Sequence, residues 1–142
     1  MPPMAAASSS SWLAGGMTRL HTLKLVGCES LEEVPEWIGG LTGLTALNLQ
    51  GCRKLRALPA SMGQVIRLQS LDLSGCEQLQ GLPEDMRSLT NLETLLLCSC
   101  EKLTRLPECV VGMSCLQTLN LADCDGLDED EFPLKFKGII IN

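Results

Sequence analysis

Leucines along this chain fall three apart and then two apart, and the arrangement returns every 24 residues. Leu20, Leu23, Leu25, Cys28, Leu31, Val34 and Pro35 are followed in register by Leu44, Leu47, Leu49, Cys52, Leu55, Leu58 and Pro59, with no insertion between copies. The third copy is Leu68, Leu71, Leu73, Cys76, Leu79, Leu82 and Pro83, and the fourth is Leu92, Leu95, Leu97, Cys100, Leu103, Leu106 and Pro107. A fifth holds through Leu116, Leu119, Leu121, Cys124 and Leu127 and then dissolves. Side chains two apart share one face of a strand, so Leu47 and Leu49 turn inward while Ala46, Asn48 and Gln50 face water. Copies stacked in register make these strands parallel, and the rest of each unit supplies the long return path that a parallel connection needs. A unit this short cannot bury its apolar face alone, so function belongs to a surface built by stacking.

The frame LxxLxLxxCxxLxxLP resembles the leucine-rich repeat. That resemblance implies an α/β solenoid, an open horseshoe arc of about five 24-residue repeats, with short parallel strands on the concave face and loops, 3₁₀ or short helical turns on the convex face. The repeats fall at 17–40, 41–64, 65–88, 89–112 and a partial 113–127. After each leucine-proline step, Pro35-Glu36-Trp37-Ile38-Gly39-Gly40-Leu41-Thr42-Gly43-Leu44 and its variants at Pro59–Gln64 and Pro83–Met86 narrow the comparison. With the preceding cysteine, as in Leu73-Ser74-Gly75-Cys76, the segment from Met17 to Leu127 resembles the repeat domain of plant nucleotide-binding leucine-rich repeat disease-resistance proteins. In those receptors the repeat domain recognises a pathogen-derived or host protein and restrains the signalling part. No GxxxxGK[ST] loop is present to cradle a nucleotide, so the resemblance implies a fragment, a free-standing relative or a decoy-like partner. Intracellular Ras-group repeat adaptors share LxxLPxxIGxL but typically carry asparagine and one residue fewer. F-box adaptor repeats have the cysteine and lack the leucine-proline step.

Where each strand ends, Gly27, Gly51 and Gly75 suit a sharp turn at φ > 0, and Ser99 and Asp123 in the same slot suggest a turn that does not demand glycine. The cysteine column reads as a ladder of small buried thiols acting as apolar residues with a weak donor. Equivalent positions in a stack form a line, whereas zinc needs four ligands converging on one point, so no metal and no cofactor is expected. Neighbouring rungs point their side chains in parallel, which also argues against disulfides. Cys98 belongs to the open face and Cys100 to the buried turn. Cys98 and Cys109 are the candidates for oxidation. The only imidazole, His21, lies three copies from Cys98, too far for a cysteine-histidine nucleophile, and the chain is read as noncatalytic. A thiol-dependent enzyme is the rival class.

A net charge of −6 and a pI near 4.7 argue against nucleic acid as partner. The basic spot Arg53, Lys54 and Arg56 is expected to pair with Glu29, Glu77 and Glu32 at the rim. No apolar run reaches the length of a membrane span, there is no N-x-[ST] acceptor, and the thiols suit a cytoplasmic setting. Residues 1–16 read as a flexible tail without the marks of a secretory leader. Residues 128–142 are acidic and then β-prone, with Phe136, Ile139, Ile140 and Ile141 available to cover the last repeat or to self-associate. Neither end resembles a polar cap, so the stack is cut from a longer array, closed by its own C-terminal segment, or paired as a homodimer through uncapped ends.

The candidate partner-binding residues are the outward strand positions. They are Thr22, Ser70, Thr94 and Thr118 in one column, Lys24, Asn48, Asp72, Leu96 and Asn120 in the next, and Val26, Gln50, Ser74 and Cys98 in the third. Five strands spaced about 4.8 Å apart offer only a few hundred square ångströms, against about 800 Å² per partner in a stable complex. Weak binding to a protein partner is the expectation, with a free-standing self-associating scaffold or a Ras-group-like adaptor as the alternative.

Overall fold

A computed structural model of the protein describes residues 17–127 and 140–141. Each repeat contributes one three-residue strand: β1 Thr22–Lys24, β2 Ala46–Asn48, β3 Ser70–Asp72, β4 Thr94–Leu96 and β5 Thr118–Asn120. A sixth, β6 Ile140–Ile141, follows. All six lie in chain order in one parallel sheet. From β1 to β5 each residue faces its equivalent 24 positions on, as in Leu23↔Leu47↔Leu71↔Leu95↔Leu119. The last step is shorter, with Thr118 opposite Ile140 and Leu119 opposite Ile141. Part of the C-terminal segment thus pairs with the last repeat of its own chain; Phe136 and Ile139 lie outside the described residues, as do the expected tail 1–16 and the acidic run.

The return path is built by proline. In the leucine-proline step the ring fixes φ, and Pro35, Pro59, Pro83 and Pro107 all stand extended at φ between −63° and −74°. Each starts a five-residue 3₁₀ turn, Glu36–Gly40, Ala60–Gln64, Glu84–Ser88 and Glu108–Gly112. Tight i to i+3 bonds carry the chain back to the next strand, for example Ile38 N–H to Pro35 C=O, Leu41 N–H to Ile38 C=O and Leu44 N–H to Leu41 C=O. A shorter 3₁₀ turn, Met17–Arg19, precedes β1. The turns stack because Gly39 and Gly63 have no side chain: a Cβ on Gly39 would lie 2.8 Å from the Ser61 carbonyl oxygen, and one on Gly63 would collide with that of Asp85.

Between sheet and turns lies one core. Its centre holds Leu44, Leu47, Leu49, Leu68, Leu71, Leu73, Leu92, Leu95 and Leu97, together with Ile38, Met62, Met86 and Val110 from the 3₁₀ turns. The spacing of three and two in the sequence is therefore the spacing of the core. In the first repeat the matching Leu20, Leu23, Leu25, Cys28 and Leu31 are only partly buried.

Beyond the end of each strand from β1 to β5 the backbone enters the left-handed region. Gly27, Gly51 and Gly75 take φ of 72° to 76°, and Ser99 and Asp123 take 61° and 58°. Substituting the glycine left the conformation unchanged, so the turn does require a positive φ. The left-handed residue's N–H reaches the next strand, as from Gly51 to Ser74 C=O and from Ser99 to Ala122 C=O, and the following N–H closes back, as from Cys52 to Leu49 C=O.

Candidate functional site

The open face of the sheet carries the sequence-predicted residues side by side, since parallel register aligns each column. Thr22, Ser70, Thr94 and Thr118 stand in one row across β1, β3, β4 and β5, and Lys24, Asn48, Asp72, Leu96 and Asn120 in the next. Ser70, Thr94, Thr118, Asn48, Asp72, Leu96 and Asn120 are half-buried, whereas Thr22, Lys24 and Gln50 are exposed. Val26 is 54% exposed and Cys98 half-buried, but Ser74 is only 7% exposed and offers little surface.

Three residues of the middle column are already engaged. Asn48 Oδ1 accepts the Gln50 N–H at 2.9 Å, Asp72 Oδ1 accepts the Ser74 N–H at 2.9 Å, and Asn120 Oδ1 accepts the Ala122 N–H at 3.0 Å. These are Asx turns, in which a short side chain satisfies the backbone donor two residues on and sets up the left-handed turn that follows. Lysine and leucine cannot accept such a bond, so Lys24 and Leu96 hold their places on the face without this duty. The sequence signal was available: an Asx residue three positions before the Gly27-type slot in three copies out of five.

Beneath the face, the thiols link successive rungs. Cys52 Sγ donates to Leu25 C=O at 3.1 Å, Cys76 to Leu49 at 3.3 Å, Cys100 to Leu73 at 3.1 Å and Cys124 to Leu97 at 2.8 Å. Each thiol satisfies a carbonyl of the preceding copy. Burial pushes Cys76 up to about 12 from an ordinary 9.0 and also raises Cys52. Cys100 is raised too, by the hydrogen bond of its side chain with Cys124 and by burial. Protonated donors are what this ladder needs, and Cys52, Cys76 and Cys100 are held so, whereas the Cys124 thiol at its end is lowered to about 7 by its side-chain hydrogen bond with Cys100. All eight cysteines are free, and among the described residues no group of three or more His, Cys, Asp or Glu is placed to hold a metal ion. Burial raises the Cys109 thiol, with Glu84 acting in the same sense, which makes it a poorer nucleophile than an open thiol.

At the rim, Arg56 meets Glu32 at 3.1 Å and Arg53 approaches Glu77 at 4.0 Å, as column stacking predicts. Both pairs are more than two-fifths exposed and contribute little to stability. His21 Nδ1 donates to Gly43 C=O at 3.1 Å, and its own carbonyl accepts the Thr45 hydroxyl at 3.0 Å, so this imidazole ties the first repeat to the second. Among the described residues no helix is long and apolar enough to cross a membrane.

Comparison with known proteins agrees with this architecture. The family profile described as Leucine Rich Repeat matches residues 67–89. No curated protein sequence matches the chain. Among solved structures, a leucine-rich-repeat protein of Leptospira interrogans superposes with a TM-score of 0.60 at 22% identity, covering 88% of this chain and 37% of that one. The leucine-rich repeat domain of the type III effector XopL gives 0.59 at 26% identity, covering 98% of this chain and 55% of that domain. The chain thus spans well under two thirds of either neighbour. One open parallel sheet, 3₁₀ return turns and these neighbours together make the fold a leucine-rich-repeat solenoid.

Proposed function

We propose that residues 17–127 are a noncatalytic recognition module that holds a protein partner weakly on the concave strand face. The observation that supports it most is the row of outward side chains, Lys24, Gln50, Thr94, Leu96 and Thr118 among them, fixed in register on a rigid sheet whose turns are secured by separate residues. A cationic edge at Lys24 and an apolar spot at Leu96 flank the carboxylate of Asp72, a mixed surface that suits polypeptide better than nucleic acid. Cytoplasmic location and the disease-resistance type rest on the sequence: the reduced thiols for the first, the PEWIGxLTxL motif for the second. Homodimerisation through the ends is the competing use of the stack, and it is favoured by the partly buried leucines of the first repeat.

The test uses Lys24→Glu combined with Leu96→Asp, which alters the face and spares Asn48, Asp72 and Asn120. Partners captured from the source cell by the intact chain are expected to be lost with this variant and retained with a convex-surface control, Arg105→Glu. Equal capture by both variants removes the concave-face reading.

A further inference from the structure

The cysteine ladder is not uniform along its length. Cys52, Cys76 and Cys100 are buried, whereas Cys124 is half-buried and stands between the exposed side chains of Asp123 and Asp125. Its sulfur lies 2.8 Å from the Leu97 carbonyl oxygen, and that of Cys100 lies 3.1 Å from the Leu73 carbonyl oxygen. Those two carbonyls belong to adjacent rungs, because the residues just before them, Asp72 and Leu96, face each other in the register of β3 and β4. One strand spacing, about 4.8 Å, separates the carbonyls and the sulfurs that hang from them. The same step between the two backbones falls inside the range of about 4.4–6.8 Å that a disulfide spans.

The two thiols are also hydrogen-bonded to each other, the Cys100 S–H donating to the Cys124 sulfur. That bond lowers the Cys124 thiol to about 7, against the opposing effects of its burial and of Asp123 and Asp125. A half-buried thiolate at neutral pH thus lies beside a buried thiol that keeps its proton.

We propose that Cys124 and Cys100 are an oxidisable pair: a small peroxide oxidises Cys124, and Cys100 resolves the product into a disulfide that joins the fifth repeat to the fourth. The Cys124 thiolate attacks one peroxide oxygen, the O–O bond breaks, and a sulfenic acid and a hydroxide ion are formed. The Cys100 sulfur then attacks the Cys124 sulfur, so that the S–S bond forms, the S–O bond breaks, and the Cys100 proton departs with the hydroxyl as water. Two thiol sulfurs are oxidised to one disulfide, and one peroxide is reduced to water and hydroxide. All the thiols are free in the structure, and a bond of about 2.05 Å needs the sulfurs to turn away from their carbonyls as it closes. An uncharged peroxide suits the site better than glutathione disulfide, whose carboxylates Asp123 and Asp125 repel.

Mass spectrometry of the full chain, treated with hydrogen peroxide at neutral pH and digested with trypsin without reduction, tests the pair. The chain is expected to lose two hydrogens and to yield the peptide of Cys100 joined to that of Cys124, a link that a dithiol reductant reverses. Cys98→Ser should keep the link, although Cys98 shares a tryptic peptide with Cys100. In Cys100→Ser, sulfenic acid on Cys124, trapped with dimedone, should accumulate at least about tenfold above the unaltered chain because no thiol resolves it. Cys124→Ser should leave Cys100 reduced. Oxidation of Cys124 in the unaltered chain without a link to Cys100 overturns the proposal, as does a link that is lost in Cys98→Ser. Equal or faster pairing of Cys28 with Cys52, a link between two copies of the chain, or more linkage with glutathione disulfide than with peroxide also overturns it.

Discussion

Repeats one and three share their strand leucines and their cysteine and live in different environments. Leu71, Leu73, Cys76 and Leu79 are 0% exposed, whereas Leu23, Leu25, Cys28 and Leu31 are partly open. The strand, the left-handed turn and the proline that starts the return are the same in both. What differs is the number of neighbours: the third repeat has one on each side and the first has one among the described residues. Burial in this fold is a property of the interface between copies, and a repeat gains its stability from being between others.

The largest effect that tests this contrast is truncation at matched positions. Leu71→Ala should cost about 3–5 kcal/mol, the range for emptying a closed core site, and Leu23→Ala about 1–2 kcal/mol because its site is already half open. Urea unfolding of the two variants checks it, and equal losses would break the distinction.

Next is pH. Cys76 is raised in the folded chain to about 12, so its contribution is whole below the ordinary thiol value of 9.0. It is lost as pH climbs from about 9 to 12, because the unfolded chain releases a proton that the folded chain keeps. The slope is bounded at about 1.4 kcal/mol per pH unit for one thiol. Stability should therefore decline over that window and do so less steeply in Cys76→Ala, as urea unfolding at a series of pH values would measure.

The smallest effect separates early turns from late ones. Ser99 holds a φ of 61° that the glycines adopt without a Cβ penalty. Ser99→Gly should stabilise by up to about 1 kcal/mol, and Gly75→Ala should destabilise by about 1–2 kcal/mol. Thermal unfolding of the pair measures both, and the opposite sign at Ser99 would show its hydroxyl to matter more than its backbone.

Much of this architecture was legible in the leucine spacing, because a period that admits one strand and one return path leaves little choice of topology. The rim pairs Arg56–Glu32 and Arg53–Glu77 followed from the same register. The face was less legible. Alternation separates inward from outward side chains, but it cannot say that Ser74, on the outward side, is buried. Nor does it distinguish an Asn that binds a partner from one that holds its own backbone, as Asn48 and Asn120 do. The replacement of glycine by serine and aspartate was informative, since Ser99 and Asp123 hold the same left-handed backbone and the turn does not demand glycine. The sixth strand falls in the segment read as β-prone, although its step is shorter than the 24 residues of the others.

The thiol ladder also makes the stack report on its own unravelling. The sulfurs of Cys52, Cys76, Cys100 and Cys124 are each tied to the copy before, so a solenoid that frays from its ends releases its cysteines in spatial order, with Cys76 at the middle of the column freed last. An alkylating reagent applied under gentle denaturing conditions would mark the outermost rungs first and the centre last, leaving a record of which end opens and how far the opening has travelled.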